Sequence, residues 1–170
     1  VIAGQGTAFL EASEQADGDV DLVIVPCGGG GLAAGTGLAM EAVGSRAELW
    51  AAEPEDFDDT RRSLASGKRE VNERLSGSLC DALLAPMPAE LPFSFNRRKL
   101  SRVLTASDDD VLAAIRFAFD HLRLVVEPGG AIALASLLKQ AEALRGRRAV
   151  VLLSGGNVEP NVFRRALNPD

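Results

Sequence analysis

The sequence predicts an α/β fold in three layers, with a parallel β-sheet covered by helices on both faces. Short apolar runs rich in β-branched residues alternate with longer segments whose apolar residues recur at helical spacing, and this alternation is typical of parallel sheets. The runs contain hardly any polar residues, as expected for strands buried on both faces. The predicted strands are residues 20–25, 48–52, 102–105 and 149–153.

Helices are predicted between these strands from helical spacing and from glycine boundaries. Ser107 and Asp110 form a capping-box pattern at the start of one of them. Gly4-Gln5-Gly6 predicts a turn ahead of the first helix. Prolines interrupt residues 69–98, which are therefore predicted to be mainly loop with one short helix at 79–84. The predicted helices are residues 7–16, 32–43, 58–65, 107–122 and a segment after Gly130 whose apolar stripe extends to Leu144.

Composition and charge favour a domain that handles a small ligand. The chain has 170 residues, 46% of them hydrophobic, and its formal net charge of −6 disfavours a nucleic-acid partner. No segment is long and apolar enough to span a membrane. Cys27 and Cys80 match neither a zinc site nor a disulfide framework and are interpreted as reduced packing thiols of a cytoplasmic protein. His121 is the single histidine, which excludes a histidine-rich metal site.

Four consecutive glycines follow the first predicted strand and precede a helix. Gly28, Gly29, Gly30 and Gly31 lack side chains, so a ligand can approach their backbone N–H groups and that of Leu32. The start of a helix also carries the positive end of the helix dipole. The sequence therefore predicts an anion site, specifically for phosphate, at residues 28–32.

A dinucleotide-binding fold is the main competing interpretation. Gly28, Gly30 and Ala33 match a loose form of its glycine fingerprint, and Glu53 lies near the expected position of the ribose-binding acid. This pattern leaves two other glycine-rich strand ends unexplained. They are Glu127-Pro128-Gly129-Gly130 and Ser154-Gly155-Gly156-Asn157.

The other strand ends also carry polar groups, as expected because ligands bind beyond the carboxyl ends of parallel strands. The Ser154 hydroxyl can hydrogen-bond a ring nitrogen of a flat ligand, although serine is also a common turn residue. A cluster of acidic residues follows the second strand. From the residues alone it fits a solvated helix start better than a site for Mg²⁺ or Ca²⁺. Its members are Glu53, Glu55, Asp56, Asp58 and Asp59.

Taken together, these motifs resemble the threonine dehydratase and serine racemase family of fold-type II pyridoxal-phosphate enzymes. The matching stretches occur in the family's order and span almost the whole chain. They are Gly4-Gln5-Gly6-Thr7, the run from Val25 to Leu32, Ala51-Ala52-Glu53-Pro54, Cys80-Asp81-Ala82, the run from Val126 to Ala131 and the run from Leu153 to Asn157. The resemblance implies the large-domain portion of a fold-type II, tryptophan synthase β-like enzyme.

The resemblance also implies roles for individual residues. The run from Gly28 to Gly31, with Leu32, would bind the phosphate of pyridoxal 5′-phosphate. Ser154, with Gly155 beside it, would face the pyridine nitrogen, and Glu127 would lie near the ring. Glu53, Asp59 and the carbonyl of Phe57 match the family's divalent-cation site, which takes Mg²⁺ or Ca²⁺.

The family's Schiff-base lysine has no counterpart in this sequence. Lys68, Lys99 and Lys139 lie in no Ser-x-Lys-x-Arg-type motif, and the chain starts at Val1 without an initiator methionine or a signal-peptide pattern. We therefore expect residues 1–170 to be a single large-domain portion, with the catalytic lysine and the small domain in a preceding segment. The expected whole protein is a homodimeric threonine- or serine-type dehydratase. A racemase, a hydroxyaspartate dehydratase and a non-catalytic phosphate-binding domain remain alternatives.

Overall fold

The protein folds around a four-stranded parallel sheet with strand order β3-β2-β1-β4. The computed structural model describes residues 1–16 and 18–168. The strands are β1 (Leu22–Pro26), β2 (Glu48–Pro54), β3 (Leu100–Ala106) and β4 (Ala149–Val151). The helices are α1 (Ile2–Gln15), α2 (Gly31–Ala42), α3 (Asp59–Ser66), α4 (Glu90–Lys99), α5 (Asp108–Phe117), α6 (Pro128–Lys139) and α7 (Pro160–Leu167). A 3₁₀ turn (Asp81–Leu83) and a π-helical turn (Ala118–Leu122) complete the described elements.

The central strand β1 determines which segments meet at the site. Ile24 pairs with Trp50 of β2 on one side and with Val151 of β4 on the other. The N–H of Leu152 bonds the carbonyl of Ile24 (3.0 Å), which extends the β1–β4 pairing past the end of β4. Because all strands are parallel, their carboxyl ends lie at one edge of the sheet.

Both faces of the sheet are covered, which confirms the three-layer prediction. Leu22 and Ile24 pack into a cluster with residues of α5 and α6. Val23 and Val25 point to the opposite face, where they pack with residues of α1 and α2. All four side chains are fully buried, which explains why the strand is apolar throughout.

The first helix differs from the prediction. Gly4 and Gly6 lie inside α1, which begins at Ile2, and do not form a turn. A Cβ on Gly6 would lie 2.8 Å from the carbonyl oxygen of Gly35 in α2. The absence of a side chain therefore allows the two helices to pack closely, and a tertiary contact overrides the turn propensity of glycine.

Helix α4 was missed because it lies in the proline-containing stretch predicted to be loop. Pro92 is the third residue of α4, where an N–H has no partner within the helix and a proline is tolerated. The short helix predicted at 79–84 is present as the 3₁₀ turn Asp81–Leu83. The capping box of Ser107 and Asp110 is confirmed at the start of α5.

Two later predictions need correction. The helix predicted over 107–122 is α-helical only to Phe117 and ends in the π-helical turn. Helix α6 ends at Lys139, so Leu144 does not belong to its apolar stripe. Leu144 is buried, but it lies in a turn that follows the helix. None of the helices in residues 1–16 and 18–168 is long and apolar enough to cross a membrane.

Candidate functional site

The glycine-rich loop between β1 and α2 presents free backbone N–H groups. Gly30 is the N-cap of α2 and has φ of 87°, a left-handed conformation that favours glycine. The N–H of Ala34 makes the first bond of the helix, to the carbonyl of Gly30 (3.0 Å). The N–H groups of Gly31, Leu32 and Ala33 therefore have no acceptor inside the helix. Such a helix start suits an anion.

The surroundings of the loop leave one side open. A Cβ on Gly28 would lie 3.0 Å from the Cα of Leu83, so this glycine backs onto the 3₁₀ turn. A Cβ on Gly29 would meet nothing within 4 Å. Gly29 is half-buried, and its Cα faces open space. The loop thus forms a cradle that is closed behind Gly28 and open at Gly29.

The segments that carry Glu127 and Ser154 lie at the same edge of the sheet as the glycine loop. Ser154 follows β4, the neighbour of β1, and is exposed. A Cβ on Gly130 would lie 2.8 Å from the backbone N and O of Gly155. Gly129 packs against the side chain of Leu83, and the backbone of Leu83 contacts Gly28. Contacts through Leu83 and the start of α6 therefore connect the glycine loop with the segment of Ser154.

Glu127 holds the segment that directly follows Ser154 at two points. Its N–H bonds the carbonyl of Gly155 (3.0 Å), and its carboxylate accepts the N–H of Asn157 (2.9 Å). A Cβ on Gly155 would lie 2.5 Å from Oε1 of Glu127. A side chain at residue 155 would therefore displace this carboxylate.

The acidic residues after β2 fall into two groups. Glu55 pairs with Lys139 (3.3 Å), and Asp56 pairs with Arg74. Asp58 pairs with Arg61 and Arg62. Glu53 and Asp59 differ from these three because both are fully buried and form no ion pair with the described residues.

The buried carboxyl groups of Glu53 and Asp59 lie close enough to influence each other. Burial and the negative charge of Asp59 raise the pKa of Glu53 to about 8, although its oxygens accept the N–H groups of Thr60 (2.9 Å) and Arg61 (3.0 Å). Burial raises the pKa of Asp59 to about 6. Its Oδ1 accepts a bond from Asn72 (2.7 Å), whereas its buried Oδ2 has no partner among the described residues.

The predicted cation ligands are only partly brought together. In the part of the chain that the structure describes, no group of three or more His, Cys, Asp or Glu side chains could hold a metal ion. Glu53 and Asp59 are neighbours, and Phe57 lies two residues before Asp59. No backbone N–H of a described residue bonds the Phe57 carbonyl.

The two cysteines border this arrangement, and the histidine lies apart from it: Cys27 directly precedes Gly28, and its Sγ lies 3.4 Å from Oγ1 of Thr60. Cys27 and Cys80 are buried free thiols, and burial raises the pKa of both, that of Cys80 to about 12. They therefore act as packing residues, as predicted. The His121 ring packs against the Phe117 ring at a tilt of 47°, with ring centroids 4.5 Å apart, and it lines a surface groove of about 550 Å³ between α5 and α7.

Sequence reasoning missed two residues that shape the loop. Leu83 supports Gly28, and Asn96 of α4 donates a hydrogen bond from Nδ2 to the carbonyl of Gly30 (3.1 Å). Asn96 is 66 residues away from Gly30 in the sequence. A local sequence pattern cannot predict a contact between residues so far apart, and the segment that forms α4 was predicted to be loop.

Comparison with known proteins connects this arrangement with a family. The family model described as "Pyridoxal-phosphate dependent enzyme" matches residues 1–155. A β-hydroxyaspartate dehydratase from Paracoccus denitrificans (strain Pd 1222) is 40% identical over 159 residues, which cover 94% of this chain and 50% of the relative. A serine racemase from Dictyostelium discoideum is 34% identical over 173 residues, covering 99% and 52%.

A solved structure gives the same result for the fold. The crystal structure of a threonine deaminase from T.th. matches with a TM-score of 0.88 at 37% identity, over 93% of this chain and 58% of that chain. The chain spans about half the length of the curated relatives it matches. The family match includes the glycine loop, Glu127 and Ser154. The chain therefore belongs to the family of pyridoxal-phosphate dependent enzymes, and its fold is that of the fold-type II members.

Proposed function

We propose that this chain forms the cofactor-holding part of a dehydratase that removes water and ammonia from a β-hydroxy amino acid and yields a 2-oxo acid. Residues 1–170 would be one portion of the large domain. The catalytic lysine and the small domain would belong to a preceding segment of the whole protein. The dehydratase and the deaminase among the similar proteins support elimination as the reaction class.

The shared sheet edge is the observation that carries this proposal. The free N–H groups at the start of α2 and the Ser154 hydroxyl follow neighbouring parallel strands. A phosphorylated aromatic ring can contact both segments, with its phosphate at the glycine loop and its ring towards Ser154. Had the two segments followed strands at opposite sides of the sheet, one small cofactor could not reach both.

The residues of the loop fit the cofactor's phosphate. Gly29 leaves open the space that a side chain would fill, and the start of α2 supplies amide donors. We assign phosphate binding to Gly28, Gly29, Gly30, Gly31 and Leu32. When bound, pyridoxal 5′-phosphate supplies a ring that withdraws electrons from the substrate's α-carbon.

Ser154 would orient the ring without protonating it. A hydroxyl donates a hydrogen bond to a pyridine nitrogen but is a weak acid, so the nitrogen stays largely uncharged. Glu127 would border the ring and hold residues 155–157 through its hydrogen bonds with Gly155 and Asn157. A ring with an uncharged nitrogen withdraws electrons less strongly, which suits elimination because the leaving group departs promptly.

Ser154→Ala should reduce turnover of the whole protein by about three- to tenfold, the value of one hydrogen bond between uncharged groups. Ser154 is exposed, so the free energy of unfolding should change by less than about 0.5 kcal/mol. Ser101→Ala, at an exposed position near the start of β3, is the matched control and should retain full turnover. Equal turnover in the two variants would contradict the assignment of Ser154.

The substrate can be identified with the complete gene product. Purified protein should be yellow and should release ammonia and a 2-oxo acid from threonine, serine or 3-hydroxyaspartate. A racemase would instead convert L-serine to D-serine with little oxo acid, and the serine racemase among the similar proteins makes this the first alternative. A colourless protein without either activity would contradict the proposal.

The dinucleotide-binding alternative fits the structure poorly. It needs Glu53 to accept hydrogen bonds from a ribose, but this side chain is fully buried. Its two oxygens already accept the N–H groups of Thr60 and Arg61. Titration with NAD tests this alternative directly, and we expect no binding.

We also propose that Glu53, Asp59 and the Phe57 carbonyl bind Mg²⁺ or Ca²⁺. The buried Asp59 Oδ2 has no partner among the described residues, and the neighbouring carboxyl groups disfavour each other's charge. A divalent cation would remove both penalties. The site contains only two carboxylates, so water would complete the coordination.

Addition of Mg²⁺ or Ca²⁺ should therefore stabilise the protein, by about 2.7 kcal/mol at a concentration one hundred times the Kd. Asp59→Asn should abolish this response, as measured by thermal unfolding with and without the cation. Asp56→Asn removes one charge from an exposed neighbour that pairs with Arg74 and should leave the response intact. A melting temperature that neither cation changes would exclude the site.

The location and assembly of the protein complete the proposal. Both cysteines are free and buried, which suits a reducing compartment, and we propose the cytoplasm. For the whole protein we propose a homodimer. Light scattering of the complete gene product tests the assembly.

A further inference from the structure

Two carbonyl groups of the glycine loop are bound from behind by α4 and its N-cap residue. The carbonyl of Gly29 accepts the N–H of Ala89, the N-cap of α4 (3.1 Å), and the carbonyl of Gly30 accepts Nδ2 of Asn96 (3.1 Å). In a planar trans peptide the C=O and the following N–H point in opposite directions. The N–H groups of Gly30 and Gly31 therefore point away from α4.

Asn96 is an unusual residue for this position. It is 1% exposed, and its Oδ1 has no hydrogen-bond partner among the described residues. A buried amide with one unsatisfied oxygen reduces stability, so packing alone would be better served by an apolar side chain. The hydrogen bond that Asn96 does make goes to the residue at which the loop turns into α2.

We propose that Asn96 is a positioning residue, which fixes the peptide between Gly30 and Gly31 so that its N–H faces the phosphate. This inference rests on the proposed binding of a phosphorylated cofactor at the loop. Asn96 itself does not touch the ligand. Without the amide of Asn96, the Gly30 carbonyl keeps only its bond from the N–H of Ala34 (3.0 Å), so the orientation of this peptide is held less firmly.

Asn96→Leu tests this role, because leucine has the same number and branching of side-chain heavy atoms and removes both the donor and the unsatisfied oxygen. The probe is pyridoxamine 5′-phosphate, which has no aldehyde to react with surface lysines, and its binding to the chain is measured by calorimetry. We expect affinity to fall about five- to tenfold, the value of one hydrogen bond. The melting temperature should stay equal or rise, and the Gly31 amide resonance should shift in the ¹⁵N spectrum of the free chain.

Two control variants separate the possible failures. Phe93→Leu loosens the packing of α4 without touching Gly30, and Gly29→Val fills the open side of the cradle. If Gly29→Val abolishes binding while Asn96→Leu binds within twofold of the wild type, the role of Asn96 is wrong and the phosphate site stands. If Asn96→Leu and Phe93→Leu lose equal affinity and stability, Asn96 is a packing residue only. If the wild type and Gly29→Val bind the probe equally, the phosphate site and this inference both fail.

Discussion

Gly30→Ala should remove most of the phosphate affinity of the chain and also destabilise it. Gly30 has φ of 87°, and this left-handed conformation costs an L-residue about 1–2 kcal/mol. The new Cβ would lie 2.7 Å from Nδ2 of Asn96, and forcing this buried side chain aside adds about 1–3 kcal/mol. We expect the free energy of unfolding in urea to fall by about 2–5 kcal/mol. Affinity for pyridoxamine 5′-phosphate should fall by about tenfold or more, because the amides lose their orientation.

Gly44→Ala is the matched control for this substitution. Gly44 follows the opposite end of α2, has φ of 68°, and a Cβ there would meet nothing within 4 Å. Its free energy of unfolding should therefore fall by only about 1–2 kcal/mol, the cost of the left-handed backbone conformation. Its affinity for pyridoxamine 5′-phosphate should equal that of the wild type. If both variants bind the phosphate probe equally well, residue 30 does not shape the anion site.

The sequence predicts the strands and the glycine loop because their causes are local. A strand buried on both faces must be apolar throughout, so β1 and β2 stand out from their neighbours, with ends that differ by two residues at most. The alternation of strands with helices then determines that the carboxyl ends share one edge. Glycines at such an edge predict a place for a ligand, and the structure has this loop at the start of α2.

The sequence does not predict what lies behind the loop. Helix α4 contains Pro92 and follows a proline-containing segment, so its pattern predicts loop. Asn96 is an ordinary polar residue until the fold brings it to Gly30. Contacts of this kind depend on tertiary packing, which neither propensity nor periodicity describes.

The acidic segment after β2 shows the same limit in another form. Five carboxylates within seven residues look equivalent in the sequence. In the structure three of them form ion pairs, while Glu53 and Asp59 are buried at the end of β2 and the start of α3. Full burial without an ion-pair partner among the described residues separates a candidate cation site from a solvated helix start, and the local sequence does not contain that information.

Helix α1 offers a test of packing in which two glycines of one helix should respond in opposite directions. Gly4 is exposed, and a Cβ there would meet nothing within 4 Å. Gly4→Ala should therefore stabilise the protein by about 0.5–1 kcal/mol through helix propensity. Gly6 is buried against the backbone of Gly35, with only 2.8 Å between a new Cβ and that carbonyl oxygen. Neither backbone can yield without moving a helix.

Gly6→Ala gains the same helix propensity as Gly4→Ala, so the difference between the two variants isolates the helix–helix contact. We expect Gly6→Ala to be less stable than Gly4→Ala by about 1–3 kcal/mol in urea unfolding. Phosphate affinity should fall in Gly6→Ala as well, because Val1, just before α1, lies 3.2 Å from where a Cβ on Gly31 would stand. A displaced α1 would therefore move Val1 relative to Gly31 and disturb the anion site. Equal stability of the two variants would show that α1 can move away from α2 without cost, and the close packing would then have no role in holding the glycine loop.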